Sequence, residues 1–410
     1  MQEKVVITGV GAISPLGLTA AESWQNAMNG VSGVGPITLF DPSHLSVSIA
    51  AEVKNFNPEN YMHSREARRQ DRYQQLALAA VAEALHQSGL EAAEQDADRI
   101  GVVISTAIGG ISSLEDAVVT LNSQGSRRIG PFVIPMLMAN GAAGLTAIRY
   151  GFKGPAYCMV SACASGADGI GLAWLLIRAG IIDAAVAGAS EATVCPVGVA
   201  TFDRVGAMTK RSEFVPQPFD KERDGLVMGE GAGILILEKE SRAKARDANI
   251  LAELASHAAT GDAFHITAPS DTGDGGAKAI SQALQIAGVN PDEVDYINAH
   301  GTGTDLNDVM ETKAIKAAFG PAAYQVPISS TKSMTGHMMG ATGALEAVFC
   351  VQAIRDSSVP PTINYRTPDP DCDLDYVPNQ GRQKKVRVAM SNAFGFGGHN
   401  AVLVLREYTG

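Results

Sequence analysis

Short β-branched runs alternate with Ala- and Leu-rich stretches of helical period along the whole chain. Val5–Gly9 and Ile100–Ser105 are continuous apolar runs, the pattern of strands buried on both faces. Helices are predicted near Ala20–Met28, over Tyr73–Ser88 and from Ala167 to Arg178. From about residue 250 the grammar repeats. A strand-like Leu251–Ala259 is followed by a helix Gly276–Ala287, a strand Val294–Asn298, helices Asp308–Phe319 and Gly336–Arg355, and paired strands Val386–Ser391 and Ala401–Leu405. The alternation predicts an α/β fold of two similar halves, residues 1–250 and 251–410, facing each other across one site. The longest apolar stretch, Gly169–Ser190, is broken by Arg178 and Asp183, so it reads as a buried helix and strand rather than a membrane span.

Composition narrows the class. A chain of 410 residues with 46% hydrophobic and 18% charged residues can bury a large core. A net charge of −11 argues against a general nucleic-acid or membrane surface, so an acidic partner must be met by a local basic patch. The five cysteines are odd in number and lack metal-ligand spacing, which fits a reducing compartment. No charged-then-apolar signal segment precedes Val5, and a cytoplasmic location is expected.

Candidate chemistry starts at Ser161-Ala162-Cys163-Ala164-Ser165-Gly166, small residues between the apolar 157–160 run and the helix from Ala167. A nucleophile on such a strand-to-helix turn meets backbone N–H groups at a helix N-terminus. That field favours a thiolate, so Cys163 is expected to be partly ionised near neutral pH. His300 follows a strand within Asn298-Ala299-His300-Gly301-Thr302-Gly303-Thr304. His337 follows Lys332, and Thr335 is expected to cap the helix in which His337 lies. The positive end of that helix would keep the imidazole neutral, able to donate a hydrogen bond to a developing oxyanion. Two neutral donors and a thiolate suit chemistry in which an acyl group is held as a thioester and the enolate that attacks it is then stabilised. Gly9-Val10-Gly11-Ala12-Ile13-Ser14 follows a first strand like a dinucleotide fingerprint, but Ser14 and Pro15 break the pattern, and a structural turn is expected instead. Neither a Walker-type loop nor His-Glu-x-x-His occurs, and no metal or cofactor is expected.

These residues resemble the β-ketoacyl-acyl carrier protein synthases of the elongating type, within the thiolase superfamily. The resemblance runs nearly end to end, through Val6–Gly11, Ser161–Gly166, Pro218–Gly225, Asn298–Thr304, Ser329–Gly340 and Asn392–Gly398. It implies a thiolase-like fold layered α-β-α-β-α, a homodimer and an acyltransferase. The reaction would be decarboxylative condensation of malonyl-carrier with an acyl-enzyme. By the resemblance Cys163 accepts the acyl group, His300 and His337 serve decarboxylation, and Lys332 orients the site with Glu311 as its partner and Asp308 as a helix-start acid. Backbone N–H groups of Cys163 and Phe396 would form the oxyanion hole; Ile108, Phe202 and Phe396 would shape the acyl pocket. Thr267, Thr302 and Thr304 match pantetheine contacts, while Arg65, Arg68, Arg69, Arg127 and Arg128 match positions that meet an acidic acyl carrier protein. The chain departs from the pattern at Gly206, where an Arg of the carrier patch is common, and at His399, where many relatives carry Thr. A polyketide ketosynthase shares the triad and the Gly398-His399-Asn400 ending, whereas a non-catalytic partner subunit should lack the nucleophile. A thiolase would carry a second catalytic Cys near the C-terminus, and 391–400 has none.

Overall fold

The computed structural model describes residues 3–91 and 96–410. Ten strands form its main sheet: β1 (Val5–Ile13), β2 (Ile100–Ser105), β3 (Ala156–Tyr157), β4 (Ala184–Glu191), β5 (Gly231–Lys239), β6 (Ala252–Gly261), β7 (Tyr296–Asn298), β8 (Ile328–Ser329), β9 (Val388–Gly395) and β10 (His399–Arg406). Their order is β8-β7-β9-β10-β6-β1-β5-β4-β2-β3. Read outward from the central β1–β6 pair, the five strands before residue 250 and the five after it follow one plan. The first and fifth strands of each half pair antiparallel, as do the fifth and fourth; the fourth, second and third run parallel. The expected α/β class and the repeated grammar therefore correspond to one topology used twice.

Helices cover both faces. Helix α1 (Arg72–Ser88) packs outside the first half against β1 and β5, and α4 (Asp274–Ala287) packs outside the second against β6 and β10. Between the halves lie α2 (Ser165–Arg178) and α7 (Thr342–Asp356), touching strands of both. Their burial explains their composition: α7 is buried at every residue from Thr342 to Ile354, as an apolar helix clad on all sides must be. Helix α1 starts at an Asp71–Gln74 capping box and stops at Gly89, whose left-handed backbone (φ 63°) suits glycine.

Two local expectations are corrected. The Gly9–Ser14 segment is no turn: Gly9 to Ile13 lie inside β1, and a Cβ at Gly11 would come within 2.0 Å of the Ala80 carbonyl oxygen. These glycines let α1 approach the strand closely. The apolar run after residue 156 pairs only over Ala156–Tyr157, and Tyr157, Met159 and Val160 are exposed at the sheet edge. Among the described residues no helix is long and apolar enough to cross a membrane.

Candidate active site

The chain leaves β3, crosses the sheet edge and turns sharply before α2. Ala162 takes a left-handed backbone (φ 51°), and Cys163 follows, buried, one residue before the helix N-cap Ala164. Strain of this kind in a non-glycine residue marks a turn held by its surroundings. Gly395 closes over it: a Cβ there would lie 2.9 Å from the Ser161 carbonyl oxygen and 3.1 Å from the Cys163 nitrogen. Only glycine lets the β9–β10 hairpin sit that near Cys163.

His300 is presented by the loop after β7. Its backbone N–H and that of Gly301 both donate to the Glu311 carboxylate (2.8 and 2.7 Å), which also accepts from the Asn392 amide (3.1 Å). Glu311 projects from α5 (Asp305–Phe319). Asp308, one turn earlier, accepts from the Phe219 and Gly303 N–H groups and lies 3.9 Å from the Arg223 guanidinium. Both carboxylates thus hold the histidine loop by its backbone, and burial pushes Glu311 up to about 7.

The Lys332–Glu311 pairing implied by the resemblance is corrected. Lys332 Nζ lies 2.6 Å from Glu346 Oε1 on α7, a fully buried pair, while Glu311 is engaged by backbone donors. Burial pushes Glu346 up to about 7, with the Lys332 charge pulling the other way. Glu346 carries its own signal in the sequence, which motif matching does not catch: it is the one charged residue in Ala344–Val351, and a charge inside an all-apolar helix needs a partner.

His337 sits between elements rather than within a helix capped by Thr335. Thr335 is the last residue of the short α6 (Lys332–Thr335), which ends at Gly336, and α7 begins only at Thr342. The link to α7 is through its first residue: His337 Nδ1 lies 2.9 Å from Thr342 Oγ1. Its backbone is pinned on both sides, donating to Val227 O (2.7 Å) and accepting from Gly229 N–H (2.8 Å). Nε2 of His337 and Nδ1 of His300 have no hydrogen-bond partner, and the two rings meet edge to face at 5.4 Å. Burial first, and then the Lys332 charge, hold both imidazoles well below the usual histidine range. They are neutral near pH 7, for desolvation and a neighbouring cation rather than for a helix dipole.

Cys163 also differs from expectation. Burial pushes its thiol up to about 11, although the Phe396 N–H and the Lys332 charge favour the thiolate. The helix start does not outweigh the loss of water.

One cleft of about 1150 Å³, counting its open mouth, gathers Cys163, His300, His337, Thr267, Thr302, Thr304, Phe202 and Phe396. Phe396 stacks on Phe202 (6.3 Å), and Thr302 and Thr304 share a hydrogen bond of 2.8 Å. Gly206 borders it at the end of α3 (Pro196–Val205), where its left-handed φ of 78° favours glycine. Ile108 does not line this cleft; its backbone approaches Glu191, a buried carboxylate that also accepts from Thr106, Ala107 and Gly340. Arg65, Arg68, Arg69, Arg127 and Arg128 are exposed and lie outside it, with Arg69 over the Phe132 ring at 4.5 Å. Among the described residues no cluster of His, Cys, Asp and Glu could hold a metal ion.

Comparisons with known proteins fit this arrangement. The family model for the β-ketoacyl synthase N-terminal domain matches residues 2–243, and that for the C-terminal domain matches residues 251–366. A 3-oxoacyl-[acyl-carrier-protein] synthase 2 of Synechocystis sp. is 49% identical over 410 residues, covering 99% of both chains. The enzyme of the same name from Staphylococcus aureus is 47% identical over 408 residues, again covering 99% of each. A solved structure of a type II PKS acyl-carrier protein in complex with its ketosynthase bound to the hexaketide superposes with a TM-score of 0.92 at 36% identity, over all of both chains. With a buried thiol and two neutral imidazoles sharing a cleft inside a doubled α/β frame, and with both domain models matched, the chain belongs to the β-ketoacyl synthase family.

Proposed function

We propose that the protein elongates acyl chains of fatty acid synthesis by decarboxylative Claisen condensation, with acyl carrier protein delivering both substrates. The observation that carries the reading is the shared cleft, in which Cys163 faces two imidazoles that are neutral and each keep a ring nitrogen unpartnered. In the first step Cys163 sulfur attacks the carrier thioester. The carbonyl oxygen gains charge against the N–H groups of Cys163 and Phe396, and the departing pantetheine sulfur takes up the proton that Cys163 loses. Malonyl-carrier then replaces the free carrier, its arm lying along Thr267, Thr302 and Thr304. The bond to its carboxylate breaks, carbon dioxide leaves, and the electron pair passes to the thioester oxygen, held by His300 and His337. That enolate attacks the acyl carbon on Cys163, and collapse expels the Cys163 thiolate, which takes a proton from solvent water. The products are 3-oxoacyl-carrier, carbon dioxide and free enzyme.

Lys332, paired with Glu346, adds its charge to the burial that keeps the histidines neutral. Phe202 and Phe396 border the acyl channel, whereas Ile108, outside the cleft beside Glu191, has no part in it. Residues 1–250 act as the half carrying the nucleophile and residues 251–410 as the half carrying both histidines. The five arginines are the docking sites for an acidic carrier on an acidic enzyme. A cytoplasmic homodimer is part of this reading. Its support is the unpaired edge strand β3, beside which helix Gly141–Tyr150 packs and leaves Ile148 exposed, with Met159 and Val160 adjoining.

A ladder of straight and branched acyl-carriers offered with malonyl-carrier tests the reading. Formation of 3-oxoacyl-carrier with release of carbon dioxide is expected. Hydrolysis of the thioester without chain extension would contradict it, and product formed only from poly-β-keto intermediates would assign the enzyme to polyketide assembly.

A further inference from the structure

Beneath the nucleophile turn lies a chain of side chains that the reaction above does not use. Ser161, two residues before Cys163, donates from Oγ to Asp168 Oδ2 (2.5 Å), and Asp168 Oδ1 lies 2.9 Å from His257 Nε2. All three are shielded from water: Ser161 and Asp168 are buried, and the His257 side chain is 10% exposed. The His257 ring lies against Gly171 of α2, where a Cβ would overlap it at 2.2 Å. The local sequence is built around this ring, because any other residue at position 171 would displace it.

The two ends of the chain matter. Ser161 is the base of the turn: its N–H donates to Ser165 Oγ (2.9 Å) and its carbonyl accepts from Ala164 N–H (3.1 Å). His257 belongs to β6, in register with Leu403 of β10, and β10 forms with β9 the hairpin whose turn carries Phe396. The Phe396 N–H is thus tied to β6 through backbone ladders, and the Cys163 N–H is tied to the same strand through Ser161, Asp168 and His257. These two N–H groups belong to different halves of the chain, yet the hairpin carrying Phe396 lies against the nucleophile turn, where a Cβ on Gly395 would sit 3.1 Å from the Cys163 nitrogen. A pair of oxyanion donors works only within a few tenths of an ångström of its target, and misplacement by about 1 Å costs roughly 100-fold in rate.

We propose that Ser161, Asp168 and His257 form a positioning relay that sets Cys163 against the Phe396 N–H, so that acyl transfer to Cys163 depends on it. The relay rests on the condensing-enzyme reading and adds positioning residues to it. None of the three touches substrate.

The test compares two half-reactions of the full-length enzyme: self-acylation from an acyl-pantetheine thioester and decarboxylation of malonyl-pantetheine. Asp168→Ala should lower kcat of self-acylation by about 10- to 100-fold with KM changed by less than about twofold, and decarboxylation, which uses the histidines, should stay within about twofold. Asp168→Asn, whose amide oxygen still accepts from Ser161, should recover to within about threefold of the native rate. His257→Phe keeps a ring against Gly171 without the hydrogen bond and should lose self-acylation by roughly fivefold; it carries the test if the alanine variant does not fold. Native self-acylation in both Asp168→Ala and His257→Phe would overturn the relay, as would equal loss of both half-reactions in Asp168→Asn. Failure of the native enzyme in both half-reactions would instead overturn the functional reading beneath it.

Discussion

The two halves share a strand order, yet they treat the equivalent segments differently. After β2 in the first half, the Thr106–Ile108 loop is gripped by Glu191; after β7 in the second, the His300–Gly301 loop is gripped by Glu311. In both cases a buried carboxylate gathers backbone N–H groups and raises no functional side chain itself. The difference lies in the connection to the central helix. From β3 the chain reaches α2 at Ser165 with room for one tight turn and Cys163; from β8 it reaches α7 at Thr342 by a longer path that accommodates Lys332, α6 and His337. A doubled scaffold thus brings Cys163 from one side and His300 and His337 from the other, in the proposed roles of nucleophile and donors, and the longer connection is the one that holds Lys332 and His337. Electrostatics follows the same division. The thiol is driven up by burial, whereas the histidines are driven down by burial and by the buried Lys332 charge.

Removing the nucleophile should break the comparison most completely. Cys163→Ala is expected to lower condensation by roughly 10⁴-fold or more, read as 3-oxoacyl product, because no other thiol lines the cleft. On the other side, His300→Ala and His337→Ala should each slow release of labelled carbon dioxide by about 10²- to 10³-fold, the scale of losing one oxyanion donor. Self-acylation should fall less; equal losses would erase the division between halves. Glu346→Ala should then show which carboxylate serves Lys332. Leaving that ammonium buried and unpaired should cost about 3–5 kcal/mol in thermal or denaturant unfolding. Should Glu346→Ala be harmless, the assignment of the pair would be wrong.

Charge reversal at Arg127 and Arg128 should weaken carrier-dependent turnover by roughly tenfold at low salt while sparing transfer from a small thioester. The smallest expected change is with pH. Both histidines are lowered below 6.5, so they are neutral in the folded enzyme above that value, and protonation favours the unfolded chain as pH falls below it. Decarboxylation measured between pH 8 and 6.5 should therefore vary by less than about twofold from these groups. Alkylation of Cys163 should instead rise through pH 9 towards 11, since the neutral thiol is favoured until then.

Much of this is legible in the residues. Strand Ile100–Ser105 and the helix ending at Ser88 fall where period and apolar runs put them, and Cys163 and His300 stand out because each follows a strand in a small-residue loop. Four features need three-dimensional structure. The Lys332 partner lies 14 residues downstream, across a turn that no local pattern predicts. Thr335 resembles an N-cap because a threonine precedes an apolar run, but Gly336 with φ of 63° ends one helix before the next begins. The Cys163 thiol is governed by the depth of burial, which depends on the β9–β10 hairpin from the far end of the chain. The Ser161–Asp168–His257 chain is hidden for the same reason, its members joining only when α2 packs on β6.

Locating the acyl adduct tests the central division of labour most directly. Native enzyme and the His300→Ala and His337→Ala variants would be incubated with acyl-carrier alone, digested and mapped by mass spectrometry. A thioester on Cys163 is expected in all three, since acyl transfer draws on the half that carries Cys163. An adduct on Cys158 or Cys195, or loss of the Cys163 adduct in both histidine variants with the fold intact, would contradict it.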